Sequence, residues 1–349
     1  MSPRALALIL ALAIAAACEP ADPVPEPAAA AAETPGLQSF IFFNRDRERI
    51  SEPGFLENEG VAGAHLKYTW RELEPERDRY ELDPILADLA YLEGRGKRLF
   101  IQLQEVSFDE RINVPDYLVE DPEFSGGVAR QYEWERSDDS DATFDGWVPR
   151  RWDPAVRERF ARLLEALSRE LDGRIEGINL PETAVGFGES GALYPEGYTP
   201  EGYFEGITSL MTYARDAFPL STVIVYANFM PGEALPEEDR GFLRGVYEHA
   251  EASGVGVGGP DLLPHRRGQQ THSLPLIRAR APRVTAGLAV QWGNLADVNP
   301  DTGLPVTVEE LYGFARDSLR LDYIFWGVQE PFYSDDVLPF LEALPSDSL

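Results

Sequence analysis

The sequence predicts a single α/β domain, a (β/α)8 barrel over residues 37–349 with a long insertion after the third strand. Two observations lead there. Short β-rich apolar runs alternate with amphipathic stretches, which implies parallel strands covered by helices, and the alternation repeats eight times. The competing doubly wound sheet usually carries a glycine-rich phosphate loop after its first strand, and here FIFFNRDRERI has no glycine.

The strand candidates are LQSFIFFN (37–44), GAHLKYTW (63–70), RLFIQLQE (98–105), IEGINLPE (175–182), TVIVYANF (222–229), GVGVGGPD (254–261), TAGLAVQW (285–292) and DYIFWGVQ (322–329). The sixth is the weakest, being glycine-rich. Asp83-Pro84 reads as an N-cap followed by proline at the first helical position, and Asp153-Pro154 opens a second helix in the same way. In that second helix Phe160, Leu163, Leu164 and Leu167 recur at helical spacing. Further helices are expected around 200–217, 237–252, 307–320 and 334–344.

Residues 1–17 carry one arginine, Arg4, and an apolar run too short to span a bilayer, the pattern of a signal peptide. The run ends Ala-Ala-Ala-Cys18. Small residues before a cysteine resemble a bacterial lipobox, although the usual leucine is here Ala15. Cys18 is therefore expected to be lipidated, and residues 18–36, rich in Pro, Ala and Glu, to act as a semi-rigid spacer. Glu19 is not the aspartate that marks inner-membrane retention, so the expected site is the bacterial outer membrane, facing the periplasm or the cell surface. Cys18 is also the chain's one cysteine, which leaves no disulfide, thiolate zinc site or thiol nucleophile.

The net charge of −29, from 60 Asp+Glu against 31 Lys+Arg, opposes nucleic acid and anionic membrane surfaces. Hydrophobic residues at 44% and aromatics at 11% supply a core and exclude a disordered chain. Among the basic residues only Lys67 and Lys97 are lysines.

A barrel places its active site at the C-terminal strand ends. That rule selects Lys67 and Trp70 after the second strand, Glu105 after the third, Asn179 and Glu182 after the fourth, and Asn228 after the fifth. Asp261 follows the sixth, Gln291 and Trp292 the seventh, and Trp326 and Glu330 the eighth. All six tryptophans fall at such ends or in the long segment 105–152, which holds Trp134, Trp147 and Trp152. A rim of flat aromatics points to stacking on sugar rings; the alternative is a small core under a long loop. Trp292 and Trp326, on neighbouring strands, are expected to line one cleft. SDDSDATFDG and DVNPDTG lack the calcium-loop spacing and read as solvated loops. The four histidines include no metal-binding motif, and no metal or cofactor is expected.

Residues 63–104 resemble the second βα unit of clan A glycoside hydrolases, the cellulase and β-galactosidase-like barrels. Trp70, Leu73, Glu74, Pro75, Tyr80, Gly96 and Lys97 carry the resemblance. It implies an acid/base glutamate at the end of strand four, directly after an asparagine; here two residues separate Asn179 from Glu182. It implies a nucleophilic glutamate at the end of strand seven; here the position holds Gln291, followed by Trp292-Gly293. An amide cannot form a glycosyl ester, so another carboxylate must serve, with Glu330 first and Glu105 or Asp261 as alternatives. The expectation is a monomeric barrel that binds and hydrolyses a poly- or oligosaccharide at the cell envelope. The alternative is a barrel that binds sugar without cleaving it.

Overall fold

The computed structural model describes residues 36–133, 135–136 and 138–344; the leader, Cys18, the spacer before Gly36 and Trp134 lie outside them. The described residues form ten strands: β1 (Gln38–Asn44), β2 (Gly63–Thr69), β3 (Arg98–Gln104), β4 (Val128–Glu133), β5 (Thr143–Pro149), β6 (Gly177–Leu180), β7 (Thr222–Tyr226), β8 (Gly256–Gly259), β9 (Ala286–Val290) and β10 (Tyr323–Gly327). Eight of them close a barrel in the order β1-β10-β9-β8-β7-β6-β3-β2, and β4 and β5 form a separate antiparallel hairpin. Every barrel neighbour is parallel. The eight expected strands are the eight barrel strands, and the insertion after the third holds the hairpin.

The covering helices follow their local chemistry. Asp153 accepts the Ala155 N–H at 2.9 Å and starts the helix Pro154–Leu171, whose buried face is Val156, Phe160, Leu163, Leu164, Leu167 and Leu171. Thr199 caps Pro200–Ala217 through the Gly202 N–H. Asp83 differs from expectation, since the helix Asp83–Glu93 is capped by Leu82 and Asp83 already lies in its first turn. Among the described residues no helix is long and apolar enough to cross a membrane.

Strand side chains alternate between two faces. Phe40, Phe42, Phe100, Ile224, Tyr226, Ala289, Tyr323 and Phe325 form a core cluster inside the barrel. Their sequence neighbours Ile41, Phe43, Leu99, Ile101, Val223, Val225, Leu288 and Ile324 join the cluster between barrel and helices. The glycine-rich β8 has a packing cause. A Cβ on Gly258 would lie 2.0 Å from the Gly287 carbonyl oxygen, so β8 and β9 approach this closely only with a bare backbone.

The same alternation corrects two tryptophans. Phe325 faces the lumen, so Trp326 faces outward; it is fully buried and donates its indole N–H to Ser39 Oγ at 3.2 Å. Trp292 is 79% exposed, so the two do not line one cleft. Trp70 also faces outward. It is buried, packs edge-on against Phe160 with centroids 5.1 Å apart, and donates to Glu74 Oε2 at 2.9 Å. Glu74 in turn holds Arg159, which reaches Asp78 at 2.9 Å and the Tyr117 hydroxyl at 3.0 Å. Lys97 is spent at the opposite end, donating to the Asn58 and Val61 carbonyls at 2.7 Å each. Of the residues that carry the clan A resemblance, Trp70 and Glu74 therefore build a structural corner, and Lys97 a separate structural contact.

Candidate functional site

β6 ends at Leu180, and the chain leaves the barrel through Pro181 and Glu182. Asn228, just past β7, donates its amide to Glu182 Oε2 at 2.8 Å. Glu182 keeps some solvent access but is recessed among protein atoms. Burial raises its carboxyl above the usual range, against the Asn228 hydrogen bond and the charge of Lys67, while Asp261 pushes the same way as burial.

Asp261 follows β8 and accepts the Asn294 amide at 2.9 Å. Asn294 Oδ1 also receives the backbone N–H groups of Leu262 (3.2 Å) and Gln291 (3.0 Å), so one buried asparagine ties the ends of β8 and β9 together. Burial raises Asp261 as well, opposed by Asn294, Arg266 and Lys67. Lys67, near the end of β2, completes the group. Burial lowers its ammonium to about 8, while Glu182 and Asp261 favour its charge. The mouth thus brings together Glu182, Asp261 and Lys67 from β6, β8 and β2, with Asn228 and Asn294 as orienting amides.

Beneath them the lumen is polar. Asn179 is fully buried; its amide meets the Tyr226 hydroxyl at 2.9 Å and His65 Nε2 at 3.2 Å. His65 stacks on Phe42 at 4.7 Å, and burial together with Lys67 keeps it neutral. Asn179 therefore lies below the mouth and orients the lumen, where the sequence placed it as a sugar contact.

Two carboxylates leave the candidate pair. Glu105 follows the inward-facing Gln104, so it points outward, and it is 2% exposed in an ion pair with Arg151 at 2.6 Å. Arg151 also donates to the Glu182 carbonyl at 2.8 Å and to the Tyr203 hydroxyl at 2.6 Å. Glu105 thus supports the backbone under Glu182 and does not reach substrate. Glu330 is exposed; it accepts from Ser334 Oγ at 2.9 Å and faces Arg49 at 3.5 Å. Its charge belongs to that rim pair and not to the Glu182 cluster. Gln291 remains half-buried at the end of β9, where the resemblance expects a carboxylate.

A groove of about 680 Å³ opens beside this cluster, and its wall begins at Ala184 and Phe229, within two residues of Glu182 and Asn228. Phe108, Asp145 and Gln131 close it from the insertion, and Tyr194, Glu233 and Arg240 line the far side. Asp139 of SDDSDATFDG uses its oxygens on Ser190 Oγ (2.5 Å) and the Glu189 N–H (3.0 Å), fastening the insertion to the loop after β6. In DVNPDTG, Asp297 pairs with Arg266 at 2.9 Å and Asn299 donates to Glu310 at 2.8 Å. Sequence reasoning missed Asn294 and Arg151. Asn294 had a signal, standing two residues beyond the Trp292 already selected; buried Arg151 had none.

No protein-family model matches the chain, and no curated protein matches it. Among solved structures, the chain is similar to xylanase 10B from Thermotoga petrophila, with a TM-score of 0.47 and 13% identity over 84% of this chain and 82% of that one. Endo-glycoceramidase II from Rhodococcus sp. gives a TM-score of 0.47 and 12% identity over 85% and 74%. An exo-β-1,4-mannosidase from an Opitutaceae bacterium gives 0.47 and 12% over 88% and 55%. The closed order of eight parallel strands establishes the (β/α)8 barrel by itself.

Proposed function

We propose that this barrel hydrolyses a glycosidic bond at the mouth formed by Glu182, Asp261 and Lys67. The observation that carries the reading is two recessed carboxyls, each oriented by an asparagine amide, at the C-terminal ends of β6 and β8. Carboxyls that share a field lose their protons in sequence. Burial raises both carboxyls, and the charge of Asp261 adds to the rise at Glu182, which favours the proton there. Glu182 is then the general acid that protonates the leaving oxygen. Asp261 is the base or nucleophile on the other side of the bond, in the place that the sequence reading gave to Glu330.

Glu182→Gln is expected to cut turnover by about 100-fold or more. Its effect should be greatest on substrates with poor leaving groups, and Asp261→Asn should be comparably damaging. Wild-type activity should fall at a pH above the ordinary glutamate value of about 4.3 as Glu182 loses its proton. The anomeric form of the first product, read by proton NMR, separates retention from inversion. Full activity in Glu182→Gln removes the assignment.

Gln291 at the end of β9 favours a second reading, a barrel that binds glycans without cleaving them. Saccharide binding by a wild type that turns over no glycoside in a broad panel selects it. We place the protein at the cell envelope, tethered through Cys18, on the strength of the apolar leader and the small residues before that cysteine.

A further inference from the structure

A second cavity, of about 370 Å³, opens at the ends of β1 and β2. Arg45, Arg47 and Lys67 all line it. Arg47 is ion-paired with Asp88 at 2.5 Å. The other two are placed differently. Arg45 donates Nε and Nη2 to Gln104 Oε1 at 3.0 and 2.8 Å, and Nη2 to Asn113 Oδ1 at 3.1 Å. Both partners are neutral amides. They fix the plane of the guanidinium without cancelling its charge, and Nη1 has no hydrogen-bond partner among the described residues. Among the described residues Lys67 Nζ has neither a hydrogen-bond partner nor an ion pair; the Phe42 ring lies 5.0 Å from it.

The cavity's own carboxylates are already engaged. Glu72 accepts the Thr69 N–H at 3.0 Å in a helix capping box, and Glu81 pairs with Arg79 at 2.7 Å. Acids outnumber bases about two to one in this chain. A recessed ammonium with no acceptor, beside a guanidinium held by amides, is therefore unusual here. Such a pair lacks an anion able to accept charge-assisted hydrogen bonds from both. Lys67 belongs to this cavity and also lies in the field of Glu182 and Asp261, so an anion held here is next to the reacting bond.

We propose that Lys67 and Arg45 form an anion subsite that selects acidic saccharides, those carrying a ring carboxylate or the equivalent charge of a sulfate ester. The inference rests on the glycan reading of the site given above. The overall charge of −29 opposes an acidic ligand at long range. At physiological salt that repulsion is screened beyond about 8 Å, so binding is decided locally, by Arg45 and Lys67 against the nearby Glu72, Asp109 and Asp261.

Calorimetric titration of the full chain tests this. The probes are uronic-acid trisaccharides, each against its carboxyl-reduced neutral counterpart, and sulfated trisaccharides against their desulfated forms. At least one acidic trisaccharide should bind 10-fold or more tightly than its neutral partner. Lys67→Met and Arg45→Gln should each abolish that preference, and Lys67→Arg should retain part of it, with folding of each variant followed by thermal melting. A carboxylate preference without a sulfate preference identifies the uronic acid, and the reverse identifies the sulfate ester. Equal affinity for acidic and neutral sugars overturns the inference, as does a preference that survives both substitutions or no binding of any acidic probe. Acidic sugars bound with the predicted preference but never cleaved leave the subsite standing and remove the hydrolase reading. Glu182-dependent cleavage of neutral sugars with no acidic preference does the opposite.

Discussion

Lys67 shows how one residue's environment sets its chemistry. Its ammonium is recessed without an acceptor, and burial lowers its pKa to about 8 from the ordinary 10.5. The folded state disfavours the charge, so the stabilising contribution is present above pH 10.5 and is lost as pH falls through about 8. Lys67→Met should therefore gain stability over wild type near pH 7, and the gain should vanish toward pH 10.5, as measured by melting temperature. Reductive methylation with ¹³C-formaldehyde gives an independent check, with one dimethyl-lysine signal titrating near 8. Lys97, held by two backbone carbonyls, should react more slowly. Trp326 illustrates the opposite role. Trp326→Ala should cost about 3–5 kcal/mol in urea unfolding, because the indole is fully buried, and should leave saccharide affinity unchanged in the folded fraction.

At the scale of elements, the hairpin β4–β5 turns a long connection into a wall of the site. It is tied to the segment after β3 by paired hydrogen bonds, Ser107 N–H to the Trp147 carbonyl at 2.9 Å and Trp147 N–H to the Ser107 carbonyl at 3.2 Å. The approach requires Gly146, at φ 110°, where a Cβ would lie 2.1 Å from the Ser107 oxygen. Gly146→Ala should destabilise by more than about 1 kcal/mol and also weaken saccharide binding, since Phe108, Asp145 and Gln131 would move from the groove. Urea midpoints and calorimetry check the two effects separately. The strands were legible from short β-rich runs between turn residues, and the helix Pro154–Leu171 from its capped, periodic face. The hairpin was not, because its residues are acidic and aromatic without clean alternation, and its fold depends on contacts with Ser107 and the loop after β6.

For the molecule as a whole, charge and anchoring can be tested together. Cys18→Ser should release the protein from the membrane fraction into the soluble one, and unchanged fractionation would refute the lipid anchor. With its net charge of −29 the released protein should not adhere to anionic vesicles at low salt, so that any membrane attachment reports the lipid.

The sequence by itself determined the eight-stranded alternation, and with it the end of the barrel where Glu182, Asn228, Asp261 and Lys67 emerge. This was legible because strand and helix periodicity are local properties. Facing was harder. One step along a strand reverses the side chain, so Trp326 and Trp70 entered the outer core although both lie near the rim. Partnership was decided by tertiary structure alone. Arg151 claims Glu105, Ser334 and Arg49 claim Glu330, and Asn294 draws Asp261 into the mouth beside Lys67. Apart from Ser334 and Glu330, which are close in sequence, those contacts join residues dozens to hundreds of positions apart, and only the closed barrel brings them together.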